Sequence, residues 1–444
     1  MLSSTAPRII NSATNVAHVP SGTIRKPERR HELDIFAPLI VMGLIVFHTL
    51  LIFSGQQMIA NESQSDVTHL VAGLVVTFTG LWGMPLLMFI AGTAIWYSLR
   101  KRSVAEFARE RTKRLLVPFG TGLVLALPLM AYFQAKQASA YTESFLAFYP
   151  RFLHVKFSLS AFPLFIESAT PDRVFYISHL WFVLYLYVYT LLLLPLLLTL
   201  RLSAGRGVVE RLAEAFTRPW TIFLLALPLA LVEAILTTDP HLGWNRFVWP
   251  FFVFYGFLFA SDSRFGQALV QHRRRALILG IVGYLAYFGG LAFLLETQVD
   301  PFSDLGVASI IDRFMKGAAS WFWLVAIMGT VMHRSQHNAN PKPDVVNSAR
   351  TQSAELSNMN AKVPTSSLFD RAIAYVREGQ VPLYVIHHTP IIVFGYYVVQ
   401  WNVNAPVKFA VIALSSLAVI FLVYEIGIRR TAATRFLFGM KAKR

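Results

Sequence analysis

The sequence predicts an all-α protein, a polytopic membrane bundle of about ten transmembrane helices with both termini in the cytoplasm. Three observations carry that reading. The 444-residue chain is 55% hydrophobic and only 14% charged, where a soluble globular chain carries about 25% charged residues. Apolar runs close to the ~20 residues needed to cross a bilayer recur from Ile35 to Ile428. The 40 Lys and Arg are shared unequally between alternate connecting segments. Together these exclude a soluble globular protein and a disordered one.

The elements follow in chain order. Residues 1–30 contain no apolar core and no cleavage pattern, so they read as a disordered cytoplasmic tail, not a signal peptide. Residues 31–428 form the membrane domain. Its expected spans are 35–53, 71–99, 115–133, 177–200, 220–237, 247–261, 276–295, 317–332, 381–400 and 409–428. The second is long and carries Gly83-Met84-Pro85, which predicts a kink or tilt. The sixth is short. With the N-terminus inside and faces alternating, the inner segments hold 32 of the 40 Lys and Arg and the outer segments hold 8. The outer segment 134–176 is long and aromatic, and is expected to lie on the membrane or fold back as part of a substrate site. Segment 333–368 reads as a disordered cytoplasmic linker, and 429–444 as a basic cytoplasmic tail.

Composition also limits the chemistry. The chain has no cysteine, which excludes disulfides, thiolate nucleophiles and Cys-ligated metals. Acyl or phosphoryl chemistry would draw on Ser, Thr, His or carboxylates. No zinc-helix, nucleotide-loop or serine-elbow motif is present, so no metal and no permanently bound cofactor is expected. The net charge of +16 does not indicate nucleic acid, because the basic residues sit in short loops between apolar runs, as on the inner face of a membrane protein.

Ionisable groups within spans are costly, so each is a site candidate. Asp34 opens the first span and His48 follows fourteen residues later. That spacing is ~21 Å along a helix and returns to within ~40° of the same face. The two would face one interior path at opposite depths, with His48 in the outer half. His179 and Trp181 open the fourth span, and Glu233 lies near the outer end of the fifth. His387 and His388 lie near the inner end of the ninth. Interfacial solvation or helix packing would also account for each of these. Arg111 and Arg114, three apart in an inner loop, would share a face of a helix and suit a phosphate-rich ligand, although topology alone also explains them.

These residues resemble those of a known family, the acyltransferase family three membrane proteins. Leu33-Asp34 followed by His48 resembles its opening helix. "GMPLLMFIAGTAIWY", "RERTKRLLVPF" with Arg111, Arg114 and Pro118, and "HLWFVLYLYVY" resemble its next motifs in order. "VPLYVIHHTPIIVFGYYVVQW" and the ending "YEIGIRRTAATRFLFGMK" are most similar to the glucan-biosynthesis protein C branch. The resemblance implies transfer of an acyl group, acetyl or succinyl, from cytoplasmic acyl-CoA to a carbohydrate across a bacterial inner membrane. It implies that His48 is catalytic, that Asp34 supports the inner end of the site, and that Arg111 and Arg114 bind CoA phosphates. His179 and His387 would line the substrate pocket, with Trp181 and Glu233 as further pocket candidates. The sequence departs from the pattern at Ala37, where the family usually has Arg, and at His388, where the branch tends to have Gln. The competing reading of the same residues is a transporter or flippase for a carbohydrate or lipid-linked substrate.

Overall fold

The computed structural model describes residues 33–55, 59, 65–138, 141–236, 243–339 and 367–441, with only the backbone of 33, 34, 338 and 339. The expected N-terminal tail and most of the expected linker lie outside these residues. Seven helical segments are long and apolar enough to cross a membrane: Asp66–Leu99, Val104–Ala135, Ser178–Thr199, Ser263–Glu296, Val307–His337, Gln380–Val398 and Ala405–Ile428. Three shorter apolar helices, Ile35–Leu51, Thr221–Ile235 and Arg246–Ser261, coincide with the remaining predicted spans.

Helix α1 is Leu33–Leu51 and α2 is Asp66–Leu99. The loop expected at 100–114 is mostly helix. Ser103 and Glu106 form a reciprocal capping box that starts α3, Val104–Arg111. A π turn at Thr112–Leu116 then leads into α4, Val117–Leu125, and α5, Leu127–Ala135. Hydropathy ends the span at the charges, but the backbone ladder continues through them.

The long segment that follows folds back on the bundle. Helix α6, Phe145–Phe152, buries Phe148 and Phe152 and packs on α5. Strands β1, Val155–Phe157, and β2, Ile166–Ser168, pair antiparallel with Lys156 opposite Glu167. The Arg246 guanidinium donates to the carbonyls of Phe162 (2.6 Å) and Ser160 (3.1 Å), tying the hairpin tip down.

Helices α7, Trp181–Thr199, α8, Ser203–Ala215, and α9, Ala226–Ile235, lead to α10, Trp249–Ser261. A helix apolar all round belongs in an interior, and α10 buries Trp249, Phe252, Val253 and Phe257 completely. It meets α2 backbone to backbone. A Cβ on Gly256 would strike the Phe89 carbonyl, and one on Gly92 would strike the Val253 carbonyl. Small residues permit this approach. Gly256→Val is expected to cost at least about 1–3 kcal/mol by overpacking. An unchanged thermal midpoint in detergent would show that the two helices do not meet so closely.

Helix α11 is Ser263–Glu296 and α12 is Val307–Ala339. The sequence starts the latter span at 317, but the helix begins ten residues earlier and buries Asp312, Arg313 and Lys316. The expected linker loses its first residues, 333–339, to the same helix.

Helix α13, Leu368–Glu378, packs on α1 and precedes α14, Gln380–Ile386, and α15, His388–Val398. Helix α16, Ala405–Leu422, ends in a π turn at Val423–Ile428. The expected basic tail is not loose over its described part. Residues Ala432–Leu437 form α17, whose Leu437 carbonyl accepts from Thr121 Oγ1 at 2.8 Å. Arg435 is buried and donates to Glu378 at 3.0 Å. Burial by itself would raise the Glu378 pKa, but hydrogen bonds from Arg435 and Arg429 hold it below the ordinary glutamate value. A depressed carboxylate stabilises above its unfolded-state pKa, and that contribution is lost as pH falls through the folded one. Acid is therefore expected to lower the hydrogen-exchange protection of 432–437 relative to the intrinsic rate at each pH, and Glu378→Gln to do the same at neutral pH. Equal protection of the variant would exclude an electrostatic clamp.

Candidate active site

Three separate parts of the chain bring histidines together. The last turn of α1 supplies His48. The start of the α7 segment supplies His179, directly after Ser178, whose φ of 41° lies in the left-handed region. A non-glycine residue held there is strained, a condition that collects at functional sites. The junction of α14 and α15 supplies His387 and His388. Pro390 has no N–H to donate and its ring crowds the carbonyl of Ile386, so the helix breaks here.

The four rings form one buried cluster. His48 and His388 lie 4.3 Å apart between centroids, His48 and His387 4.8 Å, and His179 and His387 4.9 Å. Exposure falls from 9% at His48 to 5% at His179, 1% at His387 and 0% at His388.

Backbone carbonyls assign the protons, because a carbonyl can only accept. His387 Nδ1 lies 2.7 Å from the Tyr384 carbonyl and therefore carries hydrogen. Its Nε2 is left as an acceptor 3.2 Å from His48 Nδ1. His48 Nδ1 also lies 2.8 Å from the Leu44 carbonyl, so the proton of His48 is on Nδ1. The lone pair of His48 is then on Nε2. That is the state of a general base: neutral, oriented, and with its basic nitrogen open. The Tyr384 hydroxyl in turn donates to the His179 carbonyl, tying the α14 end to the α7 start.

The sequence places His387 and His388 near the inner end of their span, well away from His48. The structure puts them at one depth. His48 lies fifteen residues into α1, ~22 Å, whereas His387 lies seven residues after Gln380, ~10 Å. Helix α13 packs along α1 before Gln380 and makes up the difference.

The other candidates lie elsewhere. Asp34 is the second residue of α1, and its side chain is outside the described residues. The Arg111 guanidinium lies over the Phe107 ring at 5.1 Å. Arg114 Nε pairs with Glu110 at 3.2 Å, and Glu110 also pairs with Arg102 at 2.9 Å. Both arginines flank or occupy the π turn, an irregularity frequent at functional sites. They precede Gly122, whose neighbours are Val385 and Leu180 beside the histidines. Eight and eleven residues of helix are about 12 and 16 Å. The Trp181 ring packs tilted against Trp249 at 4.7 Å and edge-on against Tyr185 at 5.3 Å. Glu233 serves no histidine. It pairs with Lys316 at 2.7 Å and accepts the Asn245 N–H at 2.8 Å, fully buried.

The sequence sets His388 beside His387 as a candidate in the ninth span and as a departure from the branch pattern, but does not single out Ser178 or Tyr384. The adjacent His-His followed by Pro390 was the one local sign of a broken, functional helix. Among the described residues, no group of three or more His, Asp or Glu has the arrangement of a metal site.

A family model described as an acyltransferase domain matches residues 39–425. The match takes in the four clustered histidines and both arginines, and starts after Asp34 and Ala37. No curated protein and no solved structure matches the chain.

Proposed function

The chain belongs to this acyltransferase family, and from that premise we propose that it is an O-acyltransferase of a bacterial cytoplasmic membrane. It takes an acetyl or succinyl group from cytoplasmic acyl-CoA and gives it to a hydroxyl of a carbohydrate beyond the bilayer, such as a periplasmic glucan. The observation that carries the mechanism is the protonation pattern of His48, with Nδ1–H held by the Leu44 carbonyl and His387 and Nε2 open.

The acceptor hydroxyl attacks the thioester carbonyl carbon while His48 Nε2 takes its proton. A tetrahedral intermediate forms and then collapses. The carbon–sulfur bond breaks, the CoA sulfur leaves as thiolate, and the proton on His48 passes to it. The products are the ester and free CoA. A positioned histidine suits this exchange because its ordinary pKa lies near neutrality.

Arg111 and Arg114 bind the CoA phosphates, with the pantetheine arm running along α4 towards Gly122. With Ala at position 37, donor binding relies on this pair. Replacing both with Ala is expected to raise the donor KM at least about 10- to 100-fold, the value of one charged hydrogen bond, and to leave kcat nearly unchanged. A change confined to kcat would remove them from donor binding.

The test of the whole reading uses protein in nanodiscs given acetyl-CoA or succinyl-CoA separately, with free CoA as the readout. Release with one ester is the expected result. No release, together with no thermal stabilisation by either ester, would overturn it.

A further inference from the structure

The cluster contains a second open nitrogen that the transfer step does not use. His179 Nε2 lies 3.0 Å from the Val385 carbonyl and carries hydrogen, so its Nδ1 holds a lone pair. His388 Nδ1 stands 3.3 Å from that lone pair and 3.3 Å from Ser178 Oγ. Ser178 directs its own hydroxyl proton to Met130 Sδ at 3.7 Å. Both neighbours accept, so the His388 proton is on Nδ1. Among the described residues its Nε2 has no hydrogen-bond partner, on a side chain that is 0% exposed. Leaving a buried acceptor unpaired costs stability, and such groups in native proteins call for an explanation such as a missing ligand.

The position of this nitrogen narrows the explanation. The His48 and His388 rings are immediate neighbours, with centroids 4.3 Å apart and planes tilted by 46°. Each is anchored through Nδ1 and each keeps its lone pair on Nε2. Two carbonyl-anchored pairs, His387 with His48 and His179 with His388, thus end in two rings in contact, each with its lone pair on Nε2. Gauche oxygens on neighbouring carbons suit two acceptors carried by rings in such contact.

We propose that His388 is a specificity-determining residue, whose Nε2 accepts a hydrogen bond from the hydroxyl next to the one His48 deprotonates. The acceptor class is then a compound with vicinal hydroxyls. This rests on the acyl-transfer reading. A site built to hydrogen-bond a hydroxyl rejects an analogue lacking it, because its own buried acceptor is left unpaired. A His388 that served only packing, or only the orientation of His48, would affect every acceptor alike.

The experiment uses the full chain in nanodiscs with the acyl-CoA that supports CoA release. The acceptors are trans-cyclohexane-1,2-diol and cyclohexanol. Wild type is expected to favour the diol at least about tenfold in kcat/KM. His388→Phe keeps an aromatic ring but lacks the lone pair. It is expected to abolish the preference by raising the diol KM, so that kcat/KM for the diol falls at least about tenfold more than kcat/KM for cyclohexanol. His388→Gln, which offers an amide oxygen, is expected to retain much of the preference. Equal losses with both acceptors, or a preference kept by His388→Phe, would overturn the proposal. Equal use of diol and cyclohexanol by wild type, or of neither while CoA is still released to water, would also overturn it, even if His388→Phe fails to fold. Absence of CoA release from wild type with any acyl-CoA would instead overturn the acyl-transfer reading.

Discussion

His48→Ala is expected to lower acyl transfer by about 10²–10⁴-fold, the usual contribution of a positioned general base, with little change in the fold. The ring is at the last turn of α1, retains 9% exposure, and makes its hydrogen bonds through Nδ1 alone. Removing it deletes the open Nε2 but leaves His387 held by the Tyr384 carbonyl and His179 held by the Val385 carbonyl. Single-turnover CoA release, measured beside the thermal midpoint, separates lost chemistry from lost structure. Full release by a stable variant would exclude His48 as the base. His387→Ala should have a smaller effect, because the Leu44 carbonyl still orients His48.

Lys316→Met is expected to destabilise the protein by about 3–5 kcal/mol, since it strands a buried carboxylate. Glu233 is 0% exposed, and its partner Lys316 is 3% exposed. Among the described residues, Glu233 meets Lys316 and the Asn245 N–H, at 2.7 and 2.8 Å. Lys316 also donates to the Gly243 carbonyl and lies over the Trp244 ring at 4.4 Å. The pair therefore joins α9, the start of α10 and α12. The double variant Lys316→Met with Glu233→Gln removes both charges and should recover much of the loss, because a neutral amide can still accept from Asn245. The readout is the thermal midpoint of single and double variants in nanodiscs. A single variant as stable as wild type would show that Glu233 is not held charged. Folded protein carrying the double change should still release CoA, because the pair is not among the histidines.

Some misplacements of the sequence reading share one cause. Hydropathy stops a span at the first cluster of charges, whereas a helix continues as long as its backbone groups are paired. Arg109, Arg111 and Arg114 make residues 104–114 look like a loop, yet a capping box starts the helix before them. Asp312, Arg313 and Lys316 do the same for 307–316, yet these charges are buried on α12. Arg313 meets the carbonyls of Pro301 and Asp304 at 2.9 and 2.8 Å, and Lys316 meets Glu233. The sequence shows a charge but not its distant partner.

The membrane class, the helical architecture and the family were determined by the sequence alone. Apolarity summed over ~20 residues is a local property, and family motifs are read in order along the chain. His48 stood out for the same reason, as an ionisable group inside an apolar run. The assembly of the site was decided only by tertiary structure. His48 and His387 are 339 positions apart and His179 and His388 are 209 apart. Their contact depends on how far α13 climbs along α1 and where Pro390 breaks the following helix. Which nitrogen is open on His48 and His387 follows from carbonyls one helical turn back, Leu44 and Tyr384, but on His179 it depends on the Val385 carbonyl 206 positions away. Hydrogen bonds act over about 3 Å only, so no spacing along the chain encodes the contacts between these distant segments without the fold that closes the gap.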